Sequence, residues 1–156
     1  MHLMQALGEY LPQIGQLVLA VVLGFLVGLE REVHDKPAGI TTMGLVTLAG
    51  TLLCQLSLAV QQFGGGGDPT RIAAAVMTGI GFLGAGSILR EGRHVEGVTT
   101  AATIWVMSAV GIAIGASYYV PAIATVLLVL FGFWLKPYTD RLADYIRKRR
   151  GLPPRG

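Results

Sequence analysis

In Gly28-Leu29-Glu30-Arg31-Glu32 an apolar stretch runs directly into three charges. Carboxylates and a guanidinium at such a boundary can bind an ion, hold a proton or pair with a neighbouring helix, because a charge kept within a bilayer must be matched. The plainer alternative is a helix end entering water, with Arg31 as a topological charge. Asp68 and Arg71 form a second candidate before another apolar run. Their i, i+3 spacing suits an ion pair, and Asp68-Pro69-Thr70 reads as a cap and first helical turn. Read as a cap with a surface salt bridge, the same residues contribute about 0–1 kcal/mol. Thr99, Thr100 and Thr103 make a small hydroxyl cluster at the start of a further run. Hydroxyls in membrane helices more often bond a backbone carbonyl than a ligand. Thr78 and Ser87 invite the same reading.

Other chemistries lack a residue set. Glu32, His34 and Asp35 on one connection, with Glu91, His94 and Glu96 on another, are ligand types for a divalent ion, but no fixed spacing enforces a site. The single cysteine, Cys54, excludes an intramolecular disulfide and a cysteine-based metal cluster. It reads as a small packing residue. No nucleophile–base–acid set, zinc pattern or Walker motif is present, so neither an enzyme nor a cofactor is expected. Gly79, Gly81 and Gly84 satisfy G-x-G-x-x-G. That motif binds dinucleotides only between a strand and a helix, and here it lies inside an unbroken apolar run.

The elements that position these residues are apolar. The chain has 156 residues, of which 53% are hydrophobic and 13% charged, against about one-quarter charged in a soluble domain. Five apolar segments can be placed, at residues 11–29, 41–60, 72–89, 98–119 and 120–135. Each is near the roughly 20 residues a crossing helix needs, and Tyr118, Tyr119, Trp134 and Tyr138 can extend the short fifth at the interfaces. The expectation is an all-α integral membrane protein: a five-helix transmembrane bundle over residues 1–136 and a basic amphipathic tail over 137–156. No removable leader is expected, because no cleavage signal follows the first apolar centre. Eleven of the twelve Lys and Arg residues fall on one side if the helices alternate. The positive-inside rule then places the N-terminus outside and the tail in the cytoplasm, and Arg71 is the exception. Arg147-Lys148-Arg149-Arg150 follows a membrane span, so lipid headgroups rather than nucleic acid are its expected anion.

Gly79-Ile80-Gly81-Phe82-Leu83-Gly84-Ala85-Gly86 looks like the organising helix. Glycine lets a neighbouring backbone approach closely in a membrane. At 100° per residue Ala75, Gly79 and Gly86 share one face, with Gly81 and Gly84 opposite. This predicts a helix packed on two sides and contacted by the most neighbours. Gly24 and Gly28 form a further G-x-x-x-G packing step. Residues 61–69, with Gly64-Gly65-Gly66-Gly67, read as a flexible connection, 90–97 as a short one and 152–156 as disordered.

Three strings carry a family resemblance. Gly28-Leu29-Glu30-Arg31-Glu32 with Lys36-Pro37-Ala38-Gly39-Ile40, then Asp68-Pro69-Thr70-Arg71-Ile72-Ala73-Ala74 with the glycine stretch, then Gly97-Val98-Thr99-Thr100-Ala101-Ala102-Thr103-Ile104-Trp105, resemble the MgtC/SapB membrane proteins over about residues 17–118. The resemblance implies a bacterial inner-membrane protein linked to adaptation to low magnesium and to survival inside host cells. Thr41, Thr42 and Met43 stand where the family often has basic and polar residues, and Ala75 where it commonly has Gln. The chain resembles the short members, without a further cytoplasmic domain. The leading expectation is a non-enzymatic regulator or adaptor that packs as a homodimer or against another membrane protein, with Glu30, Arg31, Asp68 and Arg71 as polar fixtures. The alternative is a transporter or channel for magnesium or another cation.

Overall fold

The computed structural model describes residues 2–62, 68, 70–91 and 94–151. The expectations for Gly64-Gly65-Gly66-Gly67, Pro69, Arg93 and residues 152–156 lie outside the described residues. Five helices follow one another as α1 (His2–Val33), α2 (Ile40–Gln62), α3 (Thr70–Gly86), α4 (Val98–Gly115) and α5 (Tyr119–Arg149), with a two-stranded ribbon, β1 (Leu89–Glu91) and β2 (His94–Glu96), between α3 and α4. Four stretches, Tyr10–Val33, Ile40–Gln62, Val98–Gly115 and Tyr119–Arg149, are long and apolar enough to cross a membrane. The protein is a helical membrane protein. At 17 residues α3 is about 25 Å long at 1.5 Å per residue, near the lower limit for a span.

The core shows which helices are central. Its buried apolar residues are Ala20, Leu23 and Val27 of α1, Met43 and Val46 of α2, Ile104, Met107, Val110 and Ile114 of α4, and Ala122 and Val126 of α5. Only Ile80 of α3 packs against this cluster, and it is partly buried. The helix that touches all the others is α4, while α3 rests chiefly on α4 and α2. The sequence expectation that α3 is the most contacted helix is therefore corrected within the chain. Glycines elsewhere make the close approaches. A Cβ at Gly28 would lie 2.5 Å from the Ile40 Cα, and one at Gly24 2.7 Å from the Gly44 Cα, so α1 and α2 meet backbone to backbone. A Cβ at Gly111 would collide with the Thr47 carbonyl, and the Thr51 hydroxyl donates to the Gly111 carbonyl at 2.9 Å. In α3 a Cβ at Gly84 meets Ala101 at an ordinary 3.5 Å, whereas Gly79, Gly81 and Gly86 face open space. The G-x-x-x-G face of α1 is thus packed as expected. The Ala75–Gly79–Gly86 face of α3 points away from the bundle.

Two boundaries also differ from expectation. The third apolar segment ends earlier, because residues 89–91 leave the helix and pair with 94–96 as an antiparallel ribbon. Gly97 makes the turn into α4 at φ 85°, where a side chain would collide with the Ser87 carbonyl. The fifth segment does not stop at Lys136-Pro137: α5 runs through Pro137 to Arg149. Pro137 leaves one carbonyl without its helical donor, and Lys136 pairs with Asp140 at 2.8 Å one turn on.

Candidate functional site

One end of the bundle gathers the C-terminus of α1, the turn into α2, the β ribbon, the first turn of α4 and the middle of α5. Glu32 shapes the α1–α2 turn. Its Oε2 accepts the Ile40 N–H at 3.0 Å, capping the exposed N-terminus of α2. The Lys36 N–H returns to the Arg31 carbonyl at 2.9 Å, and Asp35 and Ala38 take positive φ of 51° and 60°. The turn is thereby folded back on the helix end. Between it and α5 lies a partly open cleft of about 960 Å³. Glu30, Arg31, Lys36, Thr99 and Thr100 line one part of it, and Phe133, Trp134, Lys136 and Asp140 of α5 another.

Arg31 is the site's main group. It is only 5% exposed although it ends a helix. Its Nη2 donates to Thr100 Oγ1 at 3.0 Å, and its guanidinium carbon lies 5.0 Å from the Phe133 ring centroid, within cation–π range. Its buried Nε has no partner among the described residues. Next to it, Glu30 pairs through Oε1 with His34 Nδ1 at 3.1 Å, and Glu30 Oε2 is buried without a partner. Burying charge costs several kcal/mol per ion unless it is well paired. Arg31 and Glu30 are therefore poised rather than satisfied.

The structure divides the sequence candidates. It brings Glu30, Arg31, Thr99 and Thr100 together. Thr103 donates to the Thr99 carbonyl at 2.7 Å, and Thr78 to the Ala74 carbonyl at 3.0 Å, so these hydroxyls are spent on their own helices. Asp68 and Arg71 stand at the start of α3, towards the opposite end of the bundle. The expected Asp68–Arg71 ion pair does not form. Asp68 accepts instead from the Thr70 hydroxyl at 2.7 Å and the Thr70 N–H at 2.9 Å. These bonds, with a smaller contribution from the Arg71 charge, hold its carboxyl below the usual carboxylate range. Among the described residues no three His, Cys, Asp or Glu side chains gather as ion ligands. The side chains of Arg90, Glu91 and His94 lie outside the description.

The opposite end holds a network that the sequence reading missed. Gln16 Nε2 donates to Ser117 Oγ at 3.0 Å and to Tyr119 OH at 2.8 Å. Gln55 Nε2 donates to Gln16 Oε1 at 2.7 Å and to the Gln13 carbonyl at 3.0 Å. Two glutamines within otherwise apolar spans were the available signal, since intramembrane amides seek partners across helices. Of the α5 wall, Asp140 lay beyond the expected helix end at Lys136-Pro137, and Phe133 was read only as part of an apolar span.

The MgtC family model matches residues 17–142. An uncharacterised protein of Haemophilus influenzae is 36% identical over 149 residues, covering 91% of this chain and 63% of the relative. The protein MgtC of Brucella abortus is 40% identical over 136 residues, covering 86% of this chain and 56% of its own length. The protein MgtC of Salmonella typhimurium is 38% identical over 119 residues, covering 76% of this chain and 50% of its own length. The chain thus spans between half and two thirds of these relatives. No solved structure matches.

Proposed function

This chain belongs to the MgtC family, and from that premise we propose that it is a non-enzymatic regulator or adaptor of the bacterial inner membrane, acting in adaptation to low magnesium or host-cell stress through helix packing with a second copy or another membrane protein. In this reading α3 is the fifth crossing, the cleft end and the basic C-terminal turns of α5 face the cytoplasm, and residues 137–156 serve as a basic tail on the inner leaflet.

The observation that carries it is the outward face of α3. Ala75 and Gly79 are exposed, Phe82 is 82% exposed, and a Cβ at Gly79 or Gly86 meets nothing. Small residues beside one large aromatic give a partner helix both close approach and a knob. The bundle interior supports the same reading over transport. Thr47 donates to the Met43 carbonyl at 2.8 Å and Thr51 to the Thr47 carbonyl at 3.1 Å. The Thr47 and Thr51 hydroxyls are thus committed to backbone, the buried Ser108 hydroxyl alone being without a partner among these described mid-span groups, and the charges stand at the ends, whereas a transport path needs several polar groups near the midplane.

Gly79→Leu tests it. With open space beside Gly79, the variant should fold as the wild type does and lose cross-linking to its membrane partner in native membranes. Gly84→Leu should instead loosen α3 from Ala101. Cross-linking that survives Gly79→Leu contradicts the proposal.

A further inference from the structure

The cleft beside Arg31 contains donors and an acceptor that the chain itself leaves unmatched, and this holds whatever α3 docks. Arg31 is 5% exposed, its Nε has no partner, and among the described residues no carboxylate forms an ion pair with it. A guanidinium has five N–H donors, and the Thr100 hydroxyl takes one bond from it. A buried cation held by a neutral hydroxyl and an aromatic face, with only the through-space charge of Glu30 beside it, is incomplete. The first turn of α4 opens on the same cleft. Gly97 stands at its N-cap position and gives no side-chain cap, so the positive end of an 18-residue helix also faces this space. Anions bind at such helix starts. The third unmatched group has the opposite character: Glu30 Oε2 is a buried acceptor with no donor.

A single ligand can match all three. It must bring acceptor oxygens to Arg31 and the start of α4, and a hydrogen-bond donor to Glu30. We infer that the cleft binds a phosphate group that carries or adjoins its own donor. Two sources share that chemistry: a phospholipid headgroup, whose phosphate is followed by an ammonium or hydroxyl, and free hydrogenphosphate. Sulfate resembles phosphate in size and charge but carries no proton at neutral pH, so it matches Arg31 and leaves Glu30 unsatisfied. A divalent cation alone satisfies Glu30 and is repelled by Arg31.

The test uses the full chain purified in detergent, with two arms. Native mass spectrometry reads retained phospholipid. Thermal unfolding of the delipidated protein reads stabilisation by inorganic phosphate, with sulfate as control. Retained phospholipid identifies the lipid source, and phosphate-specific stabilisation identifies the free ion. In either case Arg31→Met should weaken binding about tenfold or more, the loss of at least one charge-assisted bond. Gln62→Ala, exposed at the far end of α2, should leave binding unchanged. If Arg31→Met does not fold, Thr100→Val carries the same criterion, because it removes the hydroxyl that orients the guanidinium. The inference is overturned if neither phospholipid nor phosphate binds, if binding survives these cleft variants, or if sulfate stabilises as well as phosphate.

Discussion

At one end of the bundle Gln16 joins α1 to α2 and to the α4–α5 turn through three side-chain bonds. At the other end Arg31 is buried more deeply than Gln16, at 5% against 8% exposed, and makes one. Both groups sit near the mouths of apolar helices. One end spends its polar groups on holding helices together, and the other leaves donors and an acceptor unspent around a cleft. Buried polar groups in native proteins are nearly always matched. A place where they are not is a place where stability has been traded for something else. The two ends therefore separate a structural lock from a binding site, although composition alone makes them look alike.

The largest expected effect comes from breaking the seam that joins the two ends. Gly111→Leu places a side chain on the Thr47 carbonyl between α2 and α4. Over-packing there should cost more than about 3 kcal/mol, read as loss of monodisperse protein after extraction. Next is Gln16→Leu, which removes three side-chain bonds that join α1 to α2 and to the α4–α5 turn. A cost of about 1–3 kcal/mol is expected, measured by thermal unfolding in one detergent. Arg31→Met sharpens the contrast. It keeps apolar volume against Phe133 and removes a poorly matched charge, so stability should stay within about 1 kcal/mol of wild type or rise. A loss larger than that of Gln16→Leu would reverse the assignment of lock and site.

The smallest effect is at Asp68, which belongs to neither cluster. Its folded pKa is depressed by the Thr70 bonds. Its contribution is therefore present above the unfolded value of about 3.9 and is lost as pH falls through the folded value. Asp68→Asn should lower melting slightly at pH 7, where that contribution is present, and converge with the wild type as pH falls below about 4, followed by melting against pH.

Much of this architecture was legible in the sequence. Long apolar runs gave the helices, because a membrane helix must satisfy its backbone internally and needs a minimum length. The Glu30-Arg31 boundary was legible as charge meeting an apolar run, but charges at span ends are common, so the burial of Arg31 was not legible. Which glycines pack was not. Gly111 and Gly115 form a G-x-x-x-G step that went unread and sit against the Thr47 and Thr51 carbonyls, and Gly50 lies singly against the Ser108 carbonyl, while the dense cluster in α3 is mostly open. Glycine density records a smooth surface and does not say whether the chain itself covers it. The continuation of α5 through Pro137 was also hidden, because a proline after an apolar run usually marks a helix end, although it removes only one helical hydrogen bond. With it went Asp140 on the wall of the cleft.

With its charged groups at the ends of the bundle, the protein is proposed to relay binding instead of passing ions. Magnesium flux into sealed liposomes containing the purified chain tests this most directly. Flux no greater than in protein-free vesicles is expected, for wild type and for Glu30→Gln alike. Flux well above that background, abolished by Glu30→Gln, would contradict it.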